Sequence, residues 1–506
     1  MIQQAELQTT SPEIFSEANM RRTWISLKQQ FPLLGSTLHQ DVDGGGSFQV
    51  DEARLGTVLL AEIRRREVDS AEGVESTVEE FINGPRQLSS GLPARLYVLK
   101  RTDHADRFHI FLHVAHLITD GLANAAVLRV FLDYLTSPPL DHVPDLEARL
   151  SQAVSSESLN PGLKLSVSRQ RWRRAIAFVI SGIKWRKIQG GNILPRILTP
   201  TTNVTPAQSC MLSYSLSEET SAAVIATCRR NKVTFGNVFP ICAQVAFARV
   251  LHRQYARGEI SLERWEQIRR EPHHVCGPLN IRPFLDPDWF AKGGSGDMCL
   301  RIGFFYHTLP YVPLGDVDPQ TRGERLEPPA LSGLLSSGRF FLRCNIIRRQ
   351  TAALLQDPLF LEINNIRMPE RIRGKRDVLR QWRAMQQASG TAEPIAPSRD
   401  VSYLSPHMVF AHGGSSMGNI DAILPTHYPL TAAQASPQEG PKTKHSLILL
   451  SSDLRLRCRP GELYMGASTS NNKLHLKFFW DGNVFEDEPI KEWLGEVRDA
   501  VVWYLS

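Results

Sequence analysis

The sequence predicts a mixed α/β (α+β) protein made of two halves. Apolar and polar residues alternate along residues 91–100 and 107–116, which is typical of strands. An Ala- and Leu-rich segment, residues 122–135, follows directly and is typical of a buried helix. A similar succession of strand and helix patterns begins again near residue 209. With 506 residues, the chain is long enough for two or three folding units of about 150 residues each.

The composition is that of an ordinary globular protein, with 42% hydrophobic and 22% charged residues. The net charge of +6 favours anionic partners such as phosphorylated cofactors, and only mildly because it is spread along the chain. No helix-turn-helix or RNA-binding signature occurs, so we expect no nucleic-acid partner. No apolar stretch reaches the roughly 18 residues of a spanning helix, and the N-terminus lacks a secretory pattern. We therefore expect a cytoplasmic protein without membrane contact.

The cysteine pattern agrees with that compartment. Seven cysteines are dispersed along the chain, their number is odd, and none forms a CxxC pair. Such cysteines are typical of buried thiols in a reducing environment.

The first half begins with a predicted helix at residues 16–31. After a glycine-rich turn, the polar residues 51–83 predict a mostly helical, exposed region. The strands 91–100 and 107–116 are separated by a short polar turn and predict an antiparallel hairpin. Asp120 then stands where its side chain can cap the helix that begins near Leu122.

The segment 163–196 is basic around a short apolar run. It carries no acidic residue and is too short in its apolar part to span a bilayer. Three interpretations stay open, namely an amphipathic connector between domains, a helix on a membrane surface, and a patch that attracts phosphate. We favour the connector.

The second half repeats the mixture of strands and helices. The patterns predict strands at 209–216, 275–285 and 297–313, a capped helix from Ser217, a buried helix at 233–251, a run of strands from residue 445, and a final helix at 488–505. Polar segments at 388–400 and 430–444 predict a linker and a loop.

The segment HVAHLITDG, residues 113–121, holds the most suggestive polar cluster. A metal site there is disfavoured, because strand alternation places His113 and His116 on opposite faces and neither HExxH nor a Cys/His cluster occurs. We expect no metal, and we interpret His113 as an ordinary strand residue.

Other common chemistries lack their motifs. The sequence has no GxSxG elbow for a nucleophilic serine and no GxGxxG after a strand. The glycine- and serine-rich residues 413–418 lack the lysine of a phosphate-binding loop. A general base remains, because an imidazole ordinarily titrates near neutral pH and His116 follows a strand on a turn.

The turn and its setting resemble the HxxxDG motif of the chloramphenicol acetyltransferase-like superfamily. The hairpin, the motif and the following apolar helix are similar to the elements that carry the motif there. The helix 233–251, the strand with Arg282, the segment SSMGNID at 415–421 and the last strand and helix match in the family's order. The match runs from about residue 90 to the end and is weak before it. The trichothecene 15-O-acetyltransferase type of fungal alcohol O-acetyltransferase fits best.

The resemblance implies two chloramphenicol acetyltransferase-like subdomains, each a mixed sheet flanked by helices, with a channel between them. We place the N-terminal subdomain, with the HxxxDG motif, at residues 1–200. The C-terminal subdomain, with the arginine strand and the SSMGNID segment, would be residues 201–506.

The resemblance also implies roles for single residues. His116 would be the catalytic general base. Asp120 would be structural and pair with Arg282, and Gly121 would leave space beside the base. Four residues of the SSMGNID segment, Ser415, Ser416, Gly418 and Asn419, would line the substrate or cofactor channel. Ser415, Ser416 and Asn419 are also candidate donors to the oxyanion, and the alternative is a turn that only shapes the channel.

The sequence departs at two points from motifs of other branches of the superfamily. Condensation domains carry two adjacent histidines, whereas Ala115 precedes His116 here, which argues against peptide-bond condensation. The DFGWG motif of plant-type BAHD enzymes is absent, and FWDG at 479–482 lies on the last predicted strand.

We therefore expect a monomeric acyltransferase that uses acetyl-CoA or another acyl-CoA as co-substrate and holds no permanent cofactor. Its acceptor would be a hydroxyl on a small secondary metabolite, a terpenoid or a polyketide. Two alternatives remain. The acyl group could arrive on a carrier protein, which the basic residues 169–174 could dock, or the fold could serve as a binding or cyclase protein that transfers no acyl group.

Overall fold

Two six-stranded mixed sheets, each flanked by helices, organise the part of the chain that the structure describes. The structure is a computed structural model and describes residues 1–40, 45–137, 145–199, 201–312, 328–389, 409–430 and 447–506. The mixed α/β class predicted from the sequence is confirmed.

The strands are β1 Ile2–Gln8, β2 Thr37–Gln40, β3 Gly46–Gln49, β4 Ile63–Val68, β5 Ala94–Arg101, β6 Arg107–Val114, β7 Ser209–Ser215, β8 His273–Asn280, β9 Ile302–Leu309, β10 His412–Asn419, β11 His427–Tyr428, β12 Leu447–Arg455, β13 Leu463–Ser470 and β14 Lys473–Asp481.

The helices are α1 Glu17–Gln30, α2 Glu52–Leu55, α3 Ala71–Asn83, α4 Gly121–Thr136, α5 Leu146–Gln152, α6 Val167–Lys187, α7 Glu218–Arg230, α8 Phe235–Ala256, α9 Leu262–Ile268, α10 Pro287–Ala291, α11 Leu331–Leu334, α12 Ser337–Leu355, α13 Phe360–Asn365, α14 Met368–Ser389 and α15 Asp487–Leu505.

The described residues divide into two compact units, and each unit is assembled from three segments. Unit 1 comprises Met1–Lys164, Asn280–Ile302 and Asn419–Arg457. Unit 2 comprises Leu165–Leu279, Gly303–Gly418 and Cys458–Ser506. This division differs from a single boundary at residue 200, because two later segments return to unit 1. Arg282 therefore belongs to the same unit as the HxxxDG motif.

The sheet of unit 1 has the order β11-β12-β1-β6-β5-β4. The predicted hairpin is present, since β5 and β6 pair antiparallel from Ala94 opposite Val114 to Lys100 opposite Phe108. β6 also pairs with β1 and is buried along most of its length. A strand covered on both faces needs apolar residues at successive positions, which explains the run from Ile110 to Leu112.

The prediction that residues 51–83 are mostly helical is wrong in part. Residues Ile63–Val68 form β4, which pairs in parallel with β5 at the edge of the sheet. Its sequence, IRRREV, is mostly exposed, and charged side chains on an edge strand discourage pairing with further chains. The charge that protects this edge also removes the alternation by which a strand is recognised.

The sheet of unit 2 has the order β7-β14-β13-β10-β8-β9. Helix α8 is buried along nearly all of its length, as its apolar sequence predicts, and packs against α15. Trp493 of α15 is fully buried, donates from Nε1 to the carbonyl of Ala243 at 3.1 Å, and meets the ring of Phe478 edge-on.

The predicted strand 275–285 ends early. β8 stops at Asn280, and Arg282 begins a short 3-10 turn, Arg282–Phe284. Local bonds form this turn, since Asn280 Oδ1 accepts from the amide of Arg282 at 3.1 Å and the amide of Phe284 donates to the carbonyl of Ile281 at 2.9 Å. The predicted linker 388–400 and loop 430–444 lie outside the described residues, apart from residues 388, 389 and 430.

The basic segment forms α6 inside unit 2. The helix buries Ala177 and Ser181, and Arg173 pairs with Glu362 of α13 at 2.7 Å. Trp172 and Phe178 are exposed. The membrane-surface and phosphate interpretations stay predictions. Among the described residues no single helix is long and apolar enough to cross a membrane, and α7 and α8 meet that criterion only as a pair bent by 106°.

Candidate active site

The HxxxDG motif occupies the turn between β6 and α4. β6 ends at Val114, and the turn is closed by the bond from the amide of Ile118 to the carbonyl of Ala115 at 3.0 Å. Asp120 then caps α4, with Oδ1 accepting from the amide of Ala123 at 3.0 Å. The strand-to-helix turn thus displays the residues between a buried strand and a capped helix.

His116 is exposed on this turn, and its ring is oriented by a backbone group. Nδ1 lies 2.8 Å from the carbonyl oxygen of Thr119. A carbonyl can only accept, so in this bond Nδ1 carries the hydrogen. In the neutral ring, Nε2 then holds the lone pair that can accept a proton. The turn therefore selects the tautomer that a general base requires.

Asp120 and Arg282 form a buried ion pair within unit 1. Arg282 Nη2 lies 2.9 Å from Oδ2 and 3.1 Å from Oδ1 of Asp120. The two side chains are only 4% and 3% exposed. The carboxylate is engaged by the arginine and by backbone amides, which gives Asp120 a bracing geometry and leaves the orientation of His116 to Thr119.

The arginine side of the pair is itself held by neighbouring groups. Asn280 Oδ1 accepts from the Arg282 amide at 3.1 Å, and Arg282 Nη2 also lies 3.4 Å from the carbonyl of Cys299. The backbone amide of Arg301 donates to Asp120 Oδ2 at 2.9 Å. The short segment from Asn280 to Arg301 therefore meets the turn through both a side chain and a backbone amide.

Sequence reasoning missed Arg301. Its guanidinium is fully buried, donates to the carbonyl of Gln152 at 3.2 Å and lies over the ring of Trp289 at 5.0 Å. Burial lowers the pKa of this arginine below its ordinary value. The sequence does contain a signal for this residue, because Arg301 is the single charged residue at the start of the apolar run RIGFFY. A charged side chain buried in such a run needs dedicated partners.

His113 lies in the sheet, as strand alternation suggests. It is half-buried, and its ring stacks toward Phe81 with centroids 6.3 Å apart. Burial, followed by nearby cationic groups, holds its pKa well below the ordinary value, so the ring is neutral. Gly121 is the first residue of α4.

The predicted channel residues lie on and beside β10. Ser415 is half-buried and its Oγ lies 2.5 Å from the hydroxyl of Tyr464, whose pKa is raised by burial. Ser416 is exposed, and Gly418 has a φ of 72°, which favours glycine. Asn419 Oδ1 accepts from the amide of Asp421 at 3.0 Å. Ser415, Ser416 and Gly418 belong to unit 2, and Asn419 begins the last segment of unit 1.

The structure thus brings Asp120 and Arg282 together beside the His116 turn. It places the β10 serines in the other unit. The catalytic and channel roles of all these residues stay predictions.

Comparison with known proteins gives matches in structure alone. No family model matches the sequence, and no curated protein does. Trichothecene 15-O-acetyltransferase TRI3 from Fusarium sporotrichioides aligns with 100% of this chain and 90% of its own, at 11% identity and a TM-score of 0.67. The chain has the fold of the chloramphenicol acetyltransferase-like superfamily.

Two further structures of this superfamily fold show how widely it is shared. SgcC5 from Streptomyces globisporus covers 100% of this chain and 92% of its own at 15% identity, with a TM-score of 0.55. The first condensation domain of the calcium-dependent antibiotic synthetase covers the same shares at 12% identity, with a TM-score of 0.57. Identities this low relate folds, and both an acetyltransferase and condensation domains use this one.

Proposed function

We propose that the protein is an acyl-CoA-dependent acyltransferase that acetylates a hydroxyl on a small secondary metabolite, a terpenoid or a polyketide. The observation that carries the proposal is the bond between His116 Nδ1 and the carbonyl of Thr119, which leaves the Nε2 lone pair as the proton acceptor. The fold shared with an O-acetyltransferase supports the choice of reaction.

The proposed reaction is one addition and one elimination. Nε2 of His116 takes the proton of the acceptor hydroxyl while its oxygen attacks the thioester carbonyl. A tetrahedral intermediate with a negative oxygen forms, and its C–S bond then breaks. The imidazolium returns the proton to the departing thiolate, which yields the ester and free CoA. No bond forms between the acyl group and the enzyme, so the rate comes from positioning and from one base.

Asp120 and Arg282 act as positioning residues in this proposal. The ion pair and the helix cap fix the C-terminal end of the turn, and the Thr119 carbonyl that orients His116 directly precedes Asp120. A base held in one tautomer and one direction pays little reorganisation cost during proton transfer.

Replacement of His116 tests the base. We expect His116→Ala and His116→Gln to lower kcat for acetyl transfer by about 10²–10⁴-fold, the usual contribution of a general base. The assay is release of free CoA from acetyl-CoA in the presence of pooled terpenoid and polyketide alcohols. His104→Ala, an exposed histidine on the β5–β6 turn, is the matched control and should keep full activity. Equal rates for His116→Ala and the unaltered protein would refute the mechanism.

A carrier-protein donor is the second candidate, because condensation domains share the fold and α6 exposes Arg169, Arg171 and Arg174. The same assay separates the two donors. Ester formed from acetyl-CoA without any carrier would exclude an obligatory carrier, whereas transfer only from an acylated carrier would replace the CoA proposal.

A further inference from the structure

The edge of the unit 2 sheet is closed by side chains. β9 is the last strand in the order, and helices supply partners for its outer backbone groups. Gln350 of α12 accepts from the amide of Thr308 at 3.1 Å and donates to its carbonyl at 2.8 Å. Asn364 of α13 accepts from the amide of Phe304 at 3.0 Å. Side-chain amides thus satisfy an edge that would otherwise attract another strand.

A cavity of about 640 Å³ lies beside this edge. Its walls come from α6, β9, α12, α13 and the start of α14, all in unit 2. Phe304, Tyr306 and Thr308 line it together, because alternate residues of a strand share a face. Trp185 of α6 meets Tyr306 edge-on with ring centroids 4.9 Å apart. The volume and the aromatic lining are those of a small-molecule site.

Cations lie directly on these aromatic rings. Arg367 Cζ is 4.3 Å from the ring centroid of Trp185, and Arg371 Cζ is 4.5 Å from that of Phe304. A guanidinium stacked on a ring directs its N–H groups sideways, and its planar shape matches a carboxylate. Glu370 already accepts from Nε and Nη2 of Arg367, at 2.9 and 2.8 Å, so Nη1 is the donor that this arginine offers to a ligand. The cavity therefore combines flat apolar walls with fixed donors for an acidic group.

The charge balance favours one negative charge on the ligand. Lys184 and Lys187 join the two arginines in the lining, against the single carboxylate of Asp357. Part of this positive charge is already compensated, since Lys184 pairs with Asp357 at 3.5 Å and Arg367 pairs with Glu370 at 2.8 Å. A polyphosphate would meet these carboxylates as well as the cations.

We propose that this cavity is a binding site for a flat, apolar molecule that carries one acidic group. The aromatic walls hold the apolar body, and the guanidinium of Arg367 holds the acidic group through a charge-assisted hydrogen bond from Nη1. The site is built from unit 2 residues alone, whereas the His116 turn belongs to unit 1, and the argument for the site does not depend on the acetyltransferase proposal.

Naphthalene derivatives test the site, with calorimetric titration as the readout. We expect 2-naphthoate to bind with one-to-one stoichiometry, and about tenfold more tightly than the neutral 2-naphthalenemethanol, because the acid gains a charge-assisted bond. Arg367→Met should remove that preference. Trp185→Leu should weaken both ligands by about tenfold through lost aromatic contact. Trp503→Leu, an exposed tryptophan of α15, is the matched control and should change neither affinity.

The exposed Lys187 offers a variant that leaves the core intact. Lys187→Glu should lower the affinity for 2-naphthoate about tenfold and spare the alcohol, even if Trp185→Leu fails to fold. His116→Ala should bind 2-naphthoate as the unaltered protein does. Binding that is insensitive to all the cavity variants, or tighter binding of ADP than of 2-naphthoate, would overturn the proposal.

Discussion

At the scale of single residues, the side chain of Asp120 has two structural roles, as a helix cap and as the partner of an arginine. Its Oδ1 caps α4, and both oxygens meet Arg282. The cap follows from local sequence, because a short acidic side chain before an apolar helix satisfies free amides. The partner Arg282 came from the family resemblance, and the amide of Arg301 could not be foreseen, since a backbone donor has no sequence signature.

Arg282→Met tests the buried pair. Removal of the arginine leaves the Asp120 carboxylate buried without its cation, so the free energy of unfolding should fall by about 3–5 kcal/mol. Urea unfolding at pH 7.5 measures the loss. Arg66→Ala breaks an exposed ion pair with Glu80, whose side chains are 60% and 50% exposed, and should cost at most about 1 kcal/mol. Equal losses in the two variants would contradict the bracing role of the pair.

At the scale of elements, the strands β8 and β10 approach unusually closely. They pair in parallel, with Val275 opposite His412 and Cys276 opposite Gly413. A Cβ on Gly277 would lie 1.7 Å from the carbonyl oxygen of Gly414 and 2.8 Å from the Phe305 ring. Glycine at this position lets the backbone of β10, which carries Ser415, lie against β8.

Gly277→Ala should therefore separate the two strands, and we expect a loss of more than about 3 kcal/mol in the free energy of unfolding, comparable to severe overpacking. Gly338→Ala on α12 is the control, because no atom lies within 4 Å of its Cβ position. Alanine favours a helix by about 1 kcal/mol over glycine, so the control should be neutral or stabilising. Thermal unfolding followed by circular dichroism compares the two, and a stable Gly277→Ala would refute the close contact.

Elements were predictable from the sequence where burial imposes a period. β5, β6, α4 and α8 were found because their apolar residues face a core. β4 lacks such a period because its edge position favours charge. The end of β8 is set by the hydrogen bonds of the turn at Arg282, which the alternation of apolar residues does not encode.

At the scale of the whole molecule, segments that lie far apart in the sequence belong to the same unit. Asn280–Ile302 returns to unit 1 and supplies Arg282 and the Arg301 amide, and Asn419–Arg457 supplies β11 and β12. The strand and helix patterns that begin again near residue 209 suggest one boundary near residue 200. The sequence does not show that later segments belong to unit 1, because that membership depends on contacts between residues far apart in the chain.

Unit 2 also carries four buried histidines on adjacent strands, His273 and His274 on β8, His307 on β9 and His412 on β10. Burial lowers the pKa of His307 and of His412 from 6.5 to about 4, and it holds the pKa of His273 well below 6.5. Well above pH 6.5 these rings are neutral in both the folded and the unfolded chain, so they do not lower the free energy of unfolding. As the pH falls from 6.5 toward 4, the unfolded chain binds protons that the folded chain does not, so stability falls.

We expect the rings of His307 and His412 each to cost about 2 kcal/mol of unfolding free energy at pH 5 relative to pH 7.5. His307→Gln should lose less stability than the unaltered protein between these two pH values, by about that amount, whatever its stability at pH 7.5. His104→Gln changes an exposed histidine, 59% accessible, and should follow the unaltered protein. Urea unfolding at the two pH values measures the difference, and an identical loss in His307→Gln would show that this buried ring does not drive the acid sensitivity.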